Sequence, residues 1–104
     1  MTAYCISRHA GAIEWAGKQG LAIDTFASHL DPAAVVQAGD TAIGSLPVNL
    51  AAQVCAAGAA YWHISLELPS ELRGRELSAA DLRLLGARLE PLDVRPKTML
   101  EEQQ

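Results

Sequence analysis

Short apolar runs alternate with helix-like segments along almost the whole chain, and nearly every boundary carries a turn signal. The runs at 3–7, 21–26, 40–43 and 59–66 read as strands, and 89–94 reads as a last strand that Pro91 confines to a sheet edge. The segments 10–20, 45–57 and 78–86 read as helices. In the first, Glu14 and Lys18 stand at i,i+4 and Gly20 is the stop; in the second, Ser45 is the N-cap, Pro47 lies in the first turn and Gly58 follows the end. In the third, Ser78-Ala79-Ala80-Asp81 is a capping box, with Leu77 and Leu82 at the hydrophobic-staple positions. Strands separated by helices are joined by right-handed crossovers and lie parallel. The expected fold is therefore α/β, with a mostly parallel sheet of four to five strands and helices on both faces.

With 104 residues and no internal repeat or composition break, the chain predicts a single domain over 1–97 and a solvated tail over 98–104. Half of the residues are hydrophobic, which excludes a disordered chain. Eight Lys and Arg against twelve Asp and Glu give a net charge of -4, which excludes a diffuse basic surface for double-stranded nucleic acid. No run approaches the roughly 18 apolar residues needed to span a bilayer, and no signal peptide is evident, so a cytoplasmic protein is expected. Cys5 and Cys55 sit in apolar segments and read as buried thiols. His9, His29 and His63 are far apart, without metal-ligand spacing, so neither a metal nor another cofactor is expected.

Parallel sheets bind ligands beyond the carboxyl ends of their strands, and three polar clusters fall there. Ser7-Arg8-His9-Ala10-Gly11 links the first strand to the first helix. A helix N-terminus with a guanidinium and an imidazole beside it suits a phosphate; the alternative is a solvated turn in which Ser7 caps the helix. Gly39 to Pro47 is a second strand end leading into a helix, on which Ser45, Asn49 and Gln53 form one narrow polar stripe. A helix otherwise apolar all round is buried or lies in an oligomer interface, unless the stripe simply marks its solvent side. Arg73-Gly74-Arg75-Glu76 could clamp a phosphodiester, or be a solvated turn in which Glu76 pairs an arginine. His29, with Asp31 nearby, lies on the ligand side, whereas His63 reads as a strand histidine. Trp15 and Trp62 read as packing residues, Trp15 being the better candidate for stacking on a base.

Several segments together resemble a known family. These are Ser-Arg-His-Ala-Gly-Ala-Ile-Glu-Trp at 7–15, His-Leu at 29–30, Gly-Asp-Thr-Ala-Ile-Gly-Ser-Leu-Pro-Val-Asn-Leu-Ala at 39–51, Gly-Ala-Ala-Tyr-Trp-His at 58–63 and Leu-Pro-Ser-Glu-Leu-Arg-Gly-Arg-Glu-Leu at 68–77. In this order they resemble the sixteenth family of the Csx series, small proteins associated with type III CRISPR systems. The resemblance covers about residues 3–90. It implies a minimal Rossmann-like domain akin to the CARF sensor domains, and a homodimeric, metal-independent ring nuclease. Such an enzyme binds cyclic oligoadenylate, typically cyclic tetra-adenylate, and cleaves it to linear products, switching off an antiviral signal.

On that resemblance, Arg8 stabilises the phosphorane charge and His9 protonates the leaving oxygen. Ser7 and Gly11 orient the phosphate, and Gly44, Ser45 and Asn49 contact ribose or phosphate. Arg73 covers the ring, Trp15 and His29 complete the pocket, and Glu14 orients His9 or Arg8, with Lys18 competing for it. Two other readings stand beside it: a sponge that uses the same pocket to sequester the ring uncleaved, and an interaction protein whose apolar 45–57 helix docks a CRISPR effector.

Overall fold

The computed structural model describes residues 2–27 and 35–97; His29 and the tail 98–104 lie outside the described residues. The strands are β1 (Ala3–Ile6), β2 (Thr25–Ala27), β3 (Thr41–Gly44), β4 (Ala60–Ser65) and β5 (Arg88–Leu92). The helices whose bounds lie among the described residues are α1 (Ala10–Gly17), α2 (Val48–Ala56) and α3 (Ala79–Leu84), with a 3-10 turn over Ser70–Leu72. The sheet order is β2-β1-β3-β4-β5. The first four strands are parallel, and β5 runs antiparallel to β4. This is the expected α/β architecture in its minimal Rossmann-like form.

Register sorts the side chains into two cores. Cys5, Ile43 and Trp62 are aligned across β1, β3 and β4, and with Ile64 they pack against Trp15 and Ala16 of α1 and Ala79 and Leu82 of α3. On the other face Ile6, Ala42 and Tyr61 pack against Ala51 and Val54 of α2 and against Val36. Fully burying a side chain such as Val54 stabilises the fold by about 1.5–3 kcal/mol. Helices therefore cover both faces, as expected. α2, however, is not buried all round: Val48 is 73% exposed.

Three local expectations need correction. Leu21 to Asp24 does not form strand; β2 starts at Thr25, and the Asp24 N–H joins the Ala3 carbonyl at 2.9 Å as the chain reaches the sheet. Ser45 is not a helix cap: its hydroxyl donates to the Ile64 carbonyl at 3.1 Å, and α2 begins later, with Pro47 as N-cap. The Ser45, Asn49, Gln53 stripe is therefore not one helix face. Cys55 is only half-buried, its sulfur accepting the Val94 N–H at 3.4 Å, whereas Cys5 is fully enclosed and burial pushes its thiol pKa up. The capping box at Ser78 forms as read, Ser78 Oγ accepting the Asp81 N–H and the Asp81 carboxylate accepting the Ser78 N–H. Pro91 sits in the edge strand β5, where its missing N–H costs no ladder bond.

Candidate functional site

The connections determine where a crevice opens. From β1 the chain passes through α1 on one face to β2, and from β3 through α2 on the other face to β4. Neighbouring parallel strands whose helices leave in opposite directions form a topological switch point, and the carboxyl ends part there. Gly44 ends β3 beside β1 so closely that a Cβ on it would collide with the Ile6 carbonyl.

A pocket of about 640 Å³ opens at this place. The β1–α1 turn contributes Ser7, Arg8 and His9, and the β3–α2 turn contributes Ser45, Leu46 and Pro47. The strap between β4 and α3 closes the other side with Leu68, Leu72, Arg75, Glu76 and Leu77. Within the β1–α1 turn, the Ser7 N–H donates to the Ala27 carbonyl at 2.9 Å, and Ser7 Oγ accepts the His9 N–H at 3.1 Å. That second bond shapes the turn and leaves His9, rather than Ser7, as the N-cap of α1. Arg8 is exposed and forms no ion pair among the described residues.

The strap supplies what local sequence could not reveal. His9 Nδ1 lies 3.4 Å from Glu76 Oε2, a contact between residues 67 positions apart. Both side chains are well exposed, so the pair adds little stability; its effect is to orient the ring. Glu76 therefore pairs the histidine, and neither neighbouring arginine.

Beneath the β3–α2 turn lies a buried polar group. Tyr61, 2% exposed, accepts the Leu46 N–H at 3.0 Å on its hydroxyl, which also lies 3.2 Å from the Gly44 carbonyl and 2.7 Å from His63 Nδ1. Burial pushes the Tyr61 pKa up, so the hydroxyl keeps its proton and can donate. With the Ser45 bond to Ile64, two anchors from β4 hold the turn.

Of the described residues given site roles from sequence, Ser7, Arg8, His9 and Ser45 come together on the pocket, and from the Arg73-Gly74-Arg75-Glu76 cluster Gly74, Arg75 and Glu76 join them. Gly11 faces the strap, where a Cβ would collide with the Leu77 carbonyl, so its role is close packing. Gly44 likewise serves the approach of β3 to β1. Trp15, the candidate stacking platform, is 5% exposed in the core and unavailable to a base. Glu14 pairs with Lys18 at 3.2 Å, as the i,i+4 spacing predicts, away from His9 and Arg8. Asn49 is exposed on α2 outside the pocket. Arg73 is also outside; Arg75, two residues on, takes its place. His63 is a strand histidine, bonded to Tyr61. Among the described residues, no helix is long and apolar enough to cross a membrane.

Residues 4–95 match the model of the family described as "Putative CRISPR-associated protein (Cas_VVA1548)". No curated protein matches the chain, and no solved structure does. The match spans both connections that build the pocket and the strap that closes it, and the chain belongs to this family of CRISPR-associated proteins.

Proposed function

We propose that the chain is a ring nuclease of the sixteenth Csx type. It binds cyclic oligoadenylate in the cytoplasm, with the tetramer as the expected ring, and cleaves it to linear products, switching off type III antiviral signalling. The observation that carries this reading is the convergence of Arg8, His9, Arg75 and Glu76, from two distant segments, on one pocket at the switch point of the sheet. An acidic chain can bind a polyanion where a few guanidiniums and a helix N-terminus meet locally.

In the proposed reaction the ribose 2′-oxygen attacks the adjacent phosphorus. The P–O2′ bond forms, the P–O5′ bond breaks, and the products are a 2′,3′-cyclic phosphate and a 5′-hydroxyl. The 2′-hydroxyl releases its proton to solvent, and protonated His9 gives one to the departing 5′-oxygen. Glu76 holds Nδ1 and leaves Nε2 for that transfer. Arg8 and Arg75 stabilise the charge that develops on the phosphorane oxygens. A two-fold ring suits an isologous homodimer.

The test is multiple-turnover cleavage of cyclic tetra-adenylate in excess chelator, comparing wild type with Arg8→Ala. The variant should lose at least about tenfold in rate, equivalent to about 1.4 kcal/mol of transition-state stabilisation; an unchanged rate removes Arg8 from the site. Intact ring recovered stoichiometrically after denaturation would instead make the protein a sponge. A melting temperature unmoved by any ring would leave effector docking through α2.

A further inference from the structure

The pocket is chemically two-sided. Ser7, Arg8, His9, Arg75 and Glu76 supply charge and hydrogen bonds from the β1–α1 turn and the end of the strap. Leu46, Pro47, Leu50, Ile64, Leu68 and Leu72 supply an apolar surface from the β3–α2 turn, β4 and the start of the strap.

On that apolar side the N–H groups of Leu46, Leu50 and Leu72 and the carbonyls of Pro47, Ile64 and Leu72 are already engaged. The Leu46 N–H donates to the Tyr61 hydroxyl at 3.0 Å. Pro47 has no N–H, and its carbonyl accepts from Leu50 and Ala51, each at 3.0 Å. The Ile64 carbonyl accepts the Ser45 hydroxyl at 3.1 Å. The Leu72 N–H donates to the Pro69 carbonyl at 3.0 Å, while its own carbonyl accepts the Arg75 N–H at 3.3 Å. None of Leu46, Pro47, Leu50 and Leu72 has an N–H left for a ligand.

We infer that this side takes a nucleobase of the bound ring by shape and apolar contact, without reading the hydrogen-bonding edge of the base. The inference rests on the cyclic-oligonucleotide reading above and deepens it: phosphate charge sets affinity for the ring, and purine area, not adenine identity, sets the preference among bases. The distinction has a measurable scale. A site that hydrogen-bonds a substrate group rejects an analogue lacking it by about 10⁴–10⁵, whereas an apolar pocket discriminates by size over about 10–200-fold.

The experiment offers the wild-type full chain a mixture of cyclic tetra-adenylate, cyclic tetra-inosinate and cyclic tetra-uridylate, and measures the ratios in which they are consumed, or retained if they are not cleaved. Inosine keeps the purine area of adenosine but reverses the donor and acceptor pattern of its edge. The inosinate ring should follow the adenylate ring within about tenfold, and the uridylate ring, with its smaller and better hydrated base, should fall more than about tenfold behind. An inosinate ring disfavoured by more than about tenfold overturns edge-blind recognition, and a uridylate ring within about tenfold of the adenylate ring overturns apolar seating of the base. In either case the cyclic-oligonucleotide-binding reading survives. If no ring is consumed or retained, that reading falls and takes this inference with it.

Discussion

Two glycines at opposite ends of α1 are predicted to respond to the same substitution with opposite signs. On propensity alone, Gly→Ala inside a helix stabilises by about 0.8–1 kcal/mol. At Gly17 the new methyl group would meet only the Phe26 ring, at 3.9 Å, an ordinary contact. Gly17→Ala should therefore stabilise, by about 0.5–1 kcal/mol since the site is the last residue of the helix. At Gly11 the methyl group would collide with the backbone carbonyl of Leu77, which cannot swing aside as a side chain would. Forcing atoms into such a contact costs about 1–3 kcal/mol or more, which outweighs the propensity gain. Gly11→Ala should then destabilise by about 1–2 kcal/mol, the upper part of the overpacking range after that gain is subtracted. For a domain of this size the melting temperature should fall by roughly 5–15 °C, and rise by a few degrees for Gly17→Ala. Urea unfolding monitored by circular dichroism measures both. A Gly11→Ala variant as stable as wild type, or more so, would refute the close approach of α1 to the strap.

Other substitutions probe the site and its support. Tyr61→Phe leaves the Leu46 N–H without its acceptor and should cost about 1–3 kcal/mol, with faster amide exchange at Leu46; exchange as slow as in wild type would show that the bond does not hold the turn. Arg75→Ala should weaken binding of cyclic tetra-adenylate by roughly tenfold or more, because charge-assisted bonds contribute about 1.5–3 kcal/mol, whereas Arg73→Ala should stay within about twofold; equal effects in titration calorimetry would contradict the placement of Arg75 inside the pocket. The N–H groups of Gln37 and, secondarily, Thr2 hold the Asp40 carboxyl below the usual carboxylate range. Its stabilising contribution is complete above the ordinary value of about 4 and is lost as pH falls through the lowered native value. The urea midpoint should therefore drop on acidification below about pH 4, and Asp40→Asn should flatten that limb.

What could be read from the sequence was local, and what could not was contact at a distance. The capping box needs only Ser78 and Asp81, three residues apart, and Pro91 marks an edge by its own chemistry. Ser7, Arg8 and His9 were legible because strand ends in a parallel sheet lead into the ligand crevice. Ser45 reached the pocket for the wrong reason: its type and position match an N-cap, but a carbonyl of β4, 19 residues away, takes its hydroxyl. Glu76 could not be assigned to His9, because no local pattern links residues 67 apart. Arg73 and Arg75 flank the same glycine, and only the path of the strap tells which one enters the pocket. Trp15 was ambiguous because a tryptophan on a short helix suits either a core or a platform, and packing decided for the core.

The reversed direction of β5 has a practical outcome. Because it runs against its neighbours, Leu92 lies opposite Tyr61 near the start of β4, and the residues that follow emerge at the pole where β1 begins. Thr2 is anchored at that same pole by Asp40. Tethers attached through either end of the described chain therefore start from the hemisphere turned away from the crevice, so the molecule can be immobilised on a sensor, or joined to another domain, with its mouth facing bulk solvent.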